Sequence, residues 1–281
     1  MIAAALIAFR EGVEAALIVG IILGYLRKTG QSGQNRSAWA GVIVAIALSI
    51  ALAFGIELIG ARLEGRAEQL FEGTTMLLAV GILTWMLFWM RYQSRTTKSS
   101  LEHEIDNALS QGHSRGIFAL TFLAVFREGI ETALFLAAAA FATSGLDTLV
   151  GAAVGLVVAA LVGYLLYGAT LRLNLRAFFN VTSVLLLVVA AGLFAHAIHE
   201  YQEAALLPIF VEHLWDTNGL IAGDSTIGEL LRAIVGYNAS PSLLEVVGYV
   251  GYWGLALLGV PWLVTRRIER IQAPPRIAVK A

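Results

Sequence analysis

The sequence predicts an all-α integral membrane protein, with seven transmembrane helices arranged as a 3+3 inverted repeat plus one C-terminal helix. Three observations carry this. The 281 residues are 58% hydrophobic and only 14% charged, where soluble domains average about 45–50% and about 25%. The apolar residues gather in runs of about 20, long enough to cross a bilayer, without the sustained alternation a strand needs. One five-residue pattern, Arg-Glu-Gly-x-Glu, occurs at residues 10–14 and again at 127–131, 117 residues apart.

The runs cover residues 2–26, 38–60, 70–91, 116–142, 148–171, 178–200 and 244–265. The first lacks a basic n-region and a cleavage site, so it reads as a retained helix rather than a signal peptide. Runs one to three make a first repeat (1–91), and runs four to six a second (116–200). Segment 92–115 is polar, and residues 101–109 within it read as a short amphipathic helix. Segment 201–243 is rich in Pro, Gly, Asn and Asp and reads as a loop with short helices. The seventh run (244–265) and a basic tail (266–281) complete one polytopic domain spanning 1–281. Trp39, Trp85, Trp89, Tyr92, Tyr249, Tyr252 and Trp262 lie near run boundaries, as interfacial aromatic belts do.

Basic residues set the orientation. The loops after runs one, three and five and the tail hold fourteen of the nineteen lysines and arginines; the opposite side holds Arg62, Arg66 and Arg232. The positive side is expected in the cytoplasm, which puts the N-terminus outside and the C-terminus inside. Runs one and four then point in opposite directions. Inverted repeats with polar sites near the bilayer midplane mark secondary transporters.

Ionised groups at the centre of a membrane helix cost about 2.5–3.5 kcal/mol each on insertion scales. Arg10, Glu11 and Glu14, and likewise Arg127, Glu128 and Glu131, are therefore expected to face a protein interior. Glutamates three apart share a helix face, and each arginine reaches the second glutamate of its copy four residues on. Gly12, Ala16, Gly20 and Gly24, and Gly129, Ala133 and Ala137, recur at four-residue spacing and let backbones approach closely. Helices one and four should thus pack antiparallel with both motifs at one site. Four glutamates and two arginines sum to −2 when ionised, a charge that a di- or trivalent cation offsets. Proton-linked release of that cation is a further expectation. A structural alternative, Arg–Glu pairs that only fix packing, leaves two carboxylates without a partner.

With no cysteine there is neither a disulfide nor a thiolate metal site. The four methionines form no run, which disfavours a soft-metal carrier. The ion should be hard or borderline and held by oxygen. No Walker A, GxSxG, HExxH or kinase pattern is present, so the chain is not read as an enzyme, and it carries no basic nucleic-acid patch.

With the motif placed in two helices, the chain resembles the oxidase-dependent iron permease family, which includes the fungal high-affinity iron permeases and the bacterial EfeU-type iron transporters. Besides both motifs, Leu70-Phe71-Glu72-Gly73, Ile82-Leu83-Thr84-Trp85-Met86, Phe88-Trp89-Met90-Arg91, Arg172-Leu173-Asn174-Leu175, Ala177-Phe178-Phe179, Ala190-Ala191-Gly192-Leu193 and the stretch from Gly236-Tyr237 to Pro241 look like the bacterial branch. The resemblance implies an inner-membrane permease that imports iron, as Fe³⁺ or Fe²⁺, without an organic cofactor. It implies Glu11, Glu14, Glu128 and Glu131 as ligands, with Arg10, Arg127, Gly12 and Gly129 as motif support. It also implies an extracytoplasmic oxidase or iron-binding partner, and leaves the oligomeric state open.

Two outer clusters are candidate accessory metal paths. Glu64, Glu68 and Glu72 line one face at the start of run three, although acidic residues there also suit a helix N-terminus. Of these, Glu72 matches the family pattern. His196, His199, Glu200 and Glu203 gather at the end of run six with four-residue spacings. His103, Glu104 and Asp106 read as a solvated inner face. Two rival functions remain: a proton-coupled transporter of another divalent metal such as manganese, and a membrane-embedded carboxylate iron enzyme. The second is disfavoured because neither motif has the Glu-x-x-His element such sites use.

Overall fold

A computed structural model describes residues 1–93, 104–107, 114–167, 174–223 and 225–259. Among these residues the chain is helical, with no strand. The longer helices are α1 (Ile2–Lys28), α2 (Asn35–Gly60), α3 (Arg66–Gln93), α4 (Ser114–Ala142), α5 (Gly145–Tyr167), α6 (Leu175–Glu203), α7 (Thr226–Val235) and α8 (Leu243–Gly254); α8 runs on into a π-helical turn, Leu255–Gly259. The expected tail and the end of the seventh run lie outside the described residues.

Among the described residues, four stretches are long and apolar enough to cross a membrane: Ser32–Gly60, Arg66–Phe88, Gly145–Leu165 and Ala177–Glu203. α1 and α4 are as long, 27 and 29 residues, but each carries the three charges of its motif. The chain is a multi-pass membrane protein. Among the described residues eight longer helices stand where seven spans are expected; the segment between α6 and α8 contains α7, which at ten residues is too short to cross. α7 starts at Ser225, whose side chain accepts from the Gly228 amide, and stops at Gly236 with φ +69°. α8 starts with a capping box between Ser242 and Glu245. In the segment between α6 and α7, Asp216 accepts from the Asn218 backbone and side-chain N–H groups, both at 2.9 Å. Those donors hold its carboxyl below the usual carboxylate range.

Consecutive helices usually neighbour one another, but here the principal contacts run between the two halves. α1 lies along α5, α2 along α4, α3 against α6, and α1 against α4. Close approaches at glycine give the directions. A Cβ added to Gly12 would come 2.7 Å from Ala159 Cβ, and one at Gly129 would come 2.7 Å from Ser49 Cβ. A Cβ at Gly41 would come 2.7 Å from the Phe118 carbonyl oxygen and 3.2 Å from Thr121 Cβ, while one at Gly151 would meet the Met1 carbonyl oxygen and Ala4 Cβ. These pairs run parallel along α1/α5 and along α2/α4. They also correspond. Phe118 and Met1, Thr121 and Ala4, and Gly129 and Gly12 are each 117 residues apart, as the motifs are; Gly151 and Gly41, and Ala159 and Ser49, are each 110 apart.

α3 and α6 run antiparallel. Gln69 donates to Glu203 at 3.1 Å, and Thr74 and Tyr201 hydroxyls lie 3.0 Å apart. The main core joins α3, α4, α6 and α8 through Met76, Leu83, Phe135, Leu186, Ala190 and Tyr252. α2 leaves most of its apolar surface exposed, whereas α6 is largely buried and central. Trp39 and Trp85 are exposed, as belt residues should be, but Tyr252 is not in a belt. It is buried and its hydroxyl lies 2.9 Å from that of Thr84, so core packing explains it. Trp262 lies outside the described residues.

The amphipathic segment is helical over 104–107; the rest of 101–109, with His103, lies outside the described residues. Ile105 is buried with Ile22, Leu26 and Ile117 where the C-terminal end of α1 meets the N-terminal end of α4. The Tyr25 hydroxyl donates to Asp106 at 2.6 Å. Residues 104–107 therefore close that end of the α1/α4 seam.

Candidate functional site

The two motifs meet where α1 crosses α4. Carboxylate oxygens of Glu11, Glu128 and Glu131 lie within 4.8 Å of one another. Glu11 and Glu128 are 1% and 2% exposed. Glycine at the centre of each motif lets the opposite half close in, Ala159 of α5 over Gly12 and Ser49 of α2 over Gly129. A groove of about 740 Å³ between α1, α2, α4 and α5 has Glu11 and Glu128 on its floor.

The arginines differ in surroundings. Arg10 is fully buried: its Nη1 lies 2.6 Å from Glu11 Oε1 and donates to Met86 Sδ at 3.4 Å. Its Nη2 lies 2.8 Å from Glu14 Oε1, a charge contact whose angles do not make a hydrogen bond. The Arg127 side chain is half exposed, and its Nε lies 3.2 Å from Glu128 Oε1 and 3.4 Å from Glu131 Oε1. Glu11, Glu128 and Glu131 each retain a buried Oε2 with no hydrogen-bond partner.

Two ionised carboxylates at 4.8 Å repel by roughly 3–4 kcal/mol at an effective dielectric near 20. A buried polar oxygen without a partner adds its own desolvation cost. A cation bound by these oxygens relieves both. The geometry gathers three of the four predicted glutamates into one ligand-sized group and places Glu14 against Arg10 instead.

The accessory candidates form a separate cluster where α3, α6 and α8 meet. Glu72 faces Glu200, Glu68 and Glu203. His196 Nε2 lies 3.5 Å from Glu200, and His199 Nε2 lies 3.1 Å from Glu203. The other nitrogen of His199 lies 3.2 Å from Glu245 Oε1, and Asn238 donates to Glu245 Oε2 at 2.9 Å. A cavity of about 370 Å³ opens here, bounded by Met1, His196, His199, Glu203 and Glu245. Sequence reasoning omits Glu245 and Met86. The Ser242-x-x-Glu245 spacing signals a helix start and gives no hint of the second partner, His199. Met86 carries no signal at all.

A bundle of apolar helices that brings two motifs of arginine and glutamate together belongs to the class of multi-pass membrane proteins. Within that class, the chain belongs to the iron permease FTR1 family, which matches residues 1–272. It is 42% identical over 249 residues to the ferrous iron permease EfeU of Escherichia coli O157:H7, covering 88% of this chain and 90% of the relative. Identity to the ferrous iron permease EfeU of Yersinia pestis is 41% over 255 residues, covering 90% of each. A relative in Escherichia coli strain K12, with the same 42% over 249 residues, has the word inactive in its name. No solved structure matches the chain.

Proposed function

We propose that this chain is a permease of the cytoplasmic membrane that imports iron, with the ion held between the two motifs by Glu11, Glu128 and Glu131 and with Glu14 part of the same centre. The observation that carries the reading is the convergence of three carboxylates from two distant motifs within 4.8 Å, inside a member of an iron permease family. Carboxylate oxygens suit a hard or borderline ion such as iron. The ferrous names of the relatives make Fe²⁺ the first ion to try.

We also read the fold as seven spans in a 3+3 inverted repeat, N-terminus outside and C-terminus inside. The repeat is supported by the correspondence of the Gly12–Ala159 contact to the Gly129–Ser49 contact and of the Gly41–Phe118 contact to the Gly151–Met1 contact, and the loop charges support the orientation. In this frame Ile105 closes the cytoplasmic end of the α1/α4 seam, and the cluster of Glu68, Glu72, His196, His199, Glu200 and Glu203 lies at the outer mouth. The Glu/His cluster gathers arriving cations.

The test is radio-iron uptake into proteoliposomes, with Fe²⁺ and Fe³⁺ compared under imposed pH and voltage gradients. Each of E11Q, E14Q, E128Q and E131Q should lose uptake at least tenfold while inserting normally. Full uptake in all four would sink the assignment. Uptake of Mn²⁺ in preference to iron would favour the manganese reading.

A further inference from the structure

His199 sits between two carboxylates, and the hydrogen bonds around it decide what each ring nitrogen does. Asn238 Oδ1 accepts from the Ser240 N–H at 3.1 Å, which turns the Asn238 amide nitrogen towards Glu245 Oε2, 2.9 Å away. Glu245 Oε1 accepts from the Ser242 N–H at 3.2 Å and lies 3.2 Å from His199 Nδ1. Both oxygens of Glu245 are thus acceptors, and the side chain is buried. Nδ1 must then be the donor in its contact with Oε1. A neutral imidazole carries one hydrogen, so this leaves Nε2 as a bare lone pair.

That nitrogen lies 3.1 Å from Glu203 Oε1. Glu203 is held from behind as well, since Gln69 donates to its Oε2 at 3.1 Å. Two electron-rich atoms therefore stand across a gap that a proton or a metal ion relieves. The gap fits a metal. Bonds of about 2.1 Å place two donor atoms roughly 3.0 Å apart at a right angle and roughly 3.4 Å apart at the tetrahedral angle. His199 and Glu203 both border the cavity of about 370 Å³, and their side chains are 37% and 50% exposed, so water can complete the coordination.

We propose that His199 Nε2 and Glu203 Oε1 form a two-ligand chelate for a borderline divalent cation, with Glu245 and Gln69 as positioning residues behind the two ligands. This rests on the reading of the Glu/His cluster as the place where cations gather, and it gives that cluster a preference. An imidazole beside a carboxylate suits Fe²⁺ or Zn²⁺, whereas Mg²⁺ and Ca²⁺ favour oxygen alone. Glu245 does for His199 what an outer carboxylate does for a metal-bound histidine: it fixes the tautomer and raises the basicity of the far nitrogen. Two protein ligands and an open face hold an ion loosely enough to pass it on.

The experiment labels the full chain with ¹⁵N at its five histidines and titrates it with Zn²⁺, a diamagnetic probe, at weakly alkaline pH. Neither motif contains histidine, and H199Q assigns the His199 signals. Before Zn²⁺, the neutral His199 ring should carry its hydrogen on Nδ1. On addition, the Nε2 signal should move while Nδ1 stays protonated, and a tenfold excess of Mg²⁺ should not reverse the shift. E203Q should weaken Zn²⁺ binding at His199 at least tenfold. E245Q and N238A should each weaken it about tenfold. E245Q should also redistribute the hydrogen between the ring nitrogens, because an amide can donate to Nδ1 as readily as accept from it; a packing role for Glu245 would not do this. In proteoliposomes, H199Q should raise the Fe²⁺ concentration for half-maximal uptake more than it lowers the maximal rate. A hydrogen on Nε2 of the neutral ring, or an Nε2 signal that Zn²⁺ does not move, would overturn the chelate and leave the motif centre to its own uptake tests. A Zn²⁺ shift with unchanged uptake in H199Q would keep the chelate and take the cluster off the iron path.

Discussion

Substituting Gly12 by alanine tests the interlock of the two halves. A Cβ there would sit 2.7 Å from Ala159 Cβ and 3.4 Å from Leu156 Cδ2. Ordinary carbon contacts fall near 3.5–4.0 Å, so α1 and α5 must separate by several tenths of an ångström or absorb the overlap. Overpacking of this kind costs about 1–3 kcal/mol. Replacing a helical glycine by alanine also gains about 0.5–1 kcal/mol from the backbone alone. Gly24, on the same helix, has nothing within 4 Å of an added Cβ and so isolates that gain. G12A should therefore be about 1–3 kcal/mol less stable than G24A, melting several degrees lower when both are heated in the same detergent at one scan rate. A159G removes the opposing methyl group, so G12A/A159G should recover most of the difference. The coupling would appear as non-additivity in the double-mutant cycle. The mirror pair, G129A with S49G, should behave alike. If G12A melts with or above G24A, or if A159G leaves the deficit untouched, the packing of α5 over the first motif is wrong.

The two arginines should differ in their contribution to stability. R10Q leaves Glu11 and Glu14 without their buried cation and should destabilise by about 3–5 kcal/mol; R127Q removes a half-exposed partner and should cost about 1 kcal/mol or less, both read as thermal unfolding in detergent. R127Q also takes the formal charge of the motif centre from −2 to −3, so binding competition should shift towards a trivalent ion, with redox-inert Ga³⁺ gaining at least fivefold against Mn²⁺; an unchanged ratio would separate Arg127 from ion choice.

Much of this arrangement is legible in the sequence because its causes are local or countable. Charges at 10–14 and 127–131 within apolar runs must be inside, and the loop arginines orient the two runs against each other. That is enough to bring Glu11 to Glu128. It cannot rank Glu14 against Glu131, because the motifs are the same in the residues that matter and the difference comes from elsewhere: Met86 of α3 receives Arg10, whereas Arg127 keeps half its surface exposed. Ile105 shows the same limit. Its amphipathic setting marks it as half apolar, but only the fold places it across Ile22, Leu26 and Ile117. Tyr252 misleads by position, since a tyrosine near a run boundary suits an interfacial belt as well as a bond to Thr84. α7 is bracketed by Ser225 and Gly236, start and stop signals readable in principle, although its polar surroundings mask them.

The arginines also bear on how the carboxylates are presented. Glu11, Glu128 and Glu131 each place one oxygen within 3.4 Å of an arginine and keep the other buried without a hydrogen-bond partner. A carboxylate held on one side by a guanidinium loses its freedom to rotate, so its second oxygen is aimed before any ion arrives. Such preorganisation lowers the ordering cost of binding. It also limits the grip, because an oxygen shared with arginine donates less charge to a metal than a free carboxylate does. A carrier needs both properties, since an ion held by four unencumbered glutamates in a dry interior would not leave. On the proposed iron site, the arginine in each motif favours passage over storage, and removing either one should tighten the ion as well as loosen the fold.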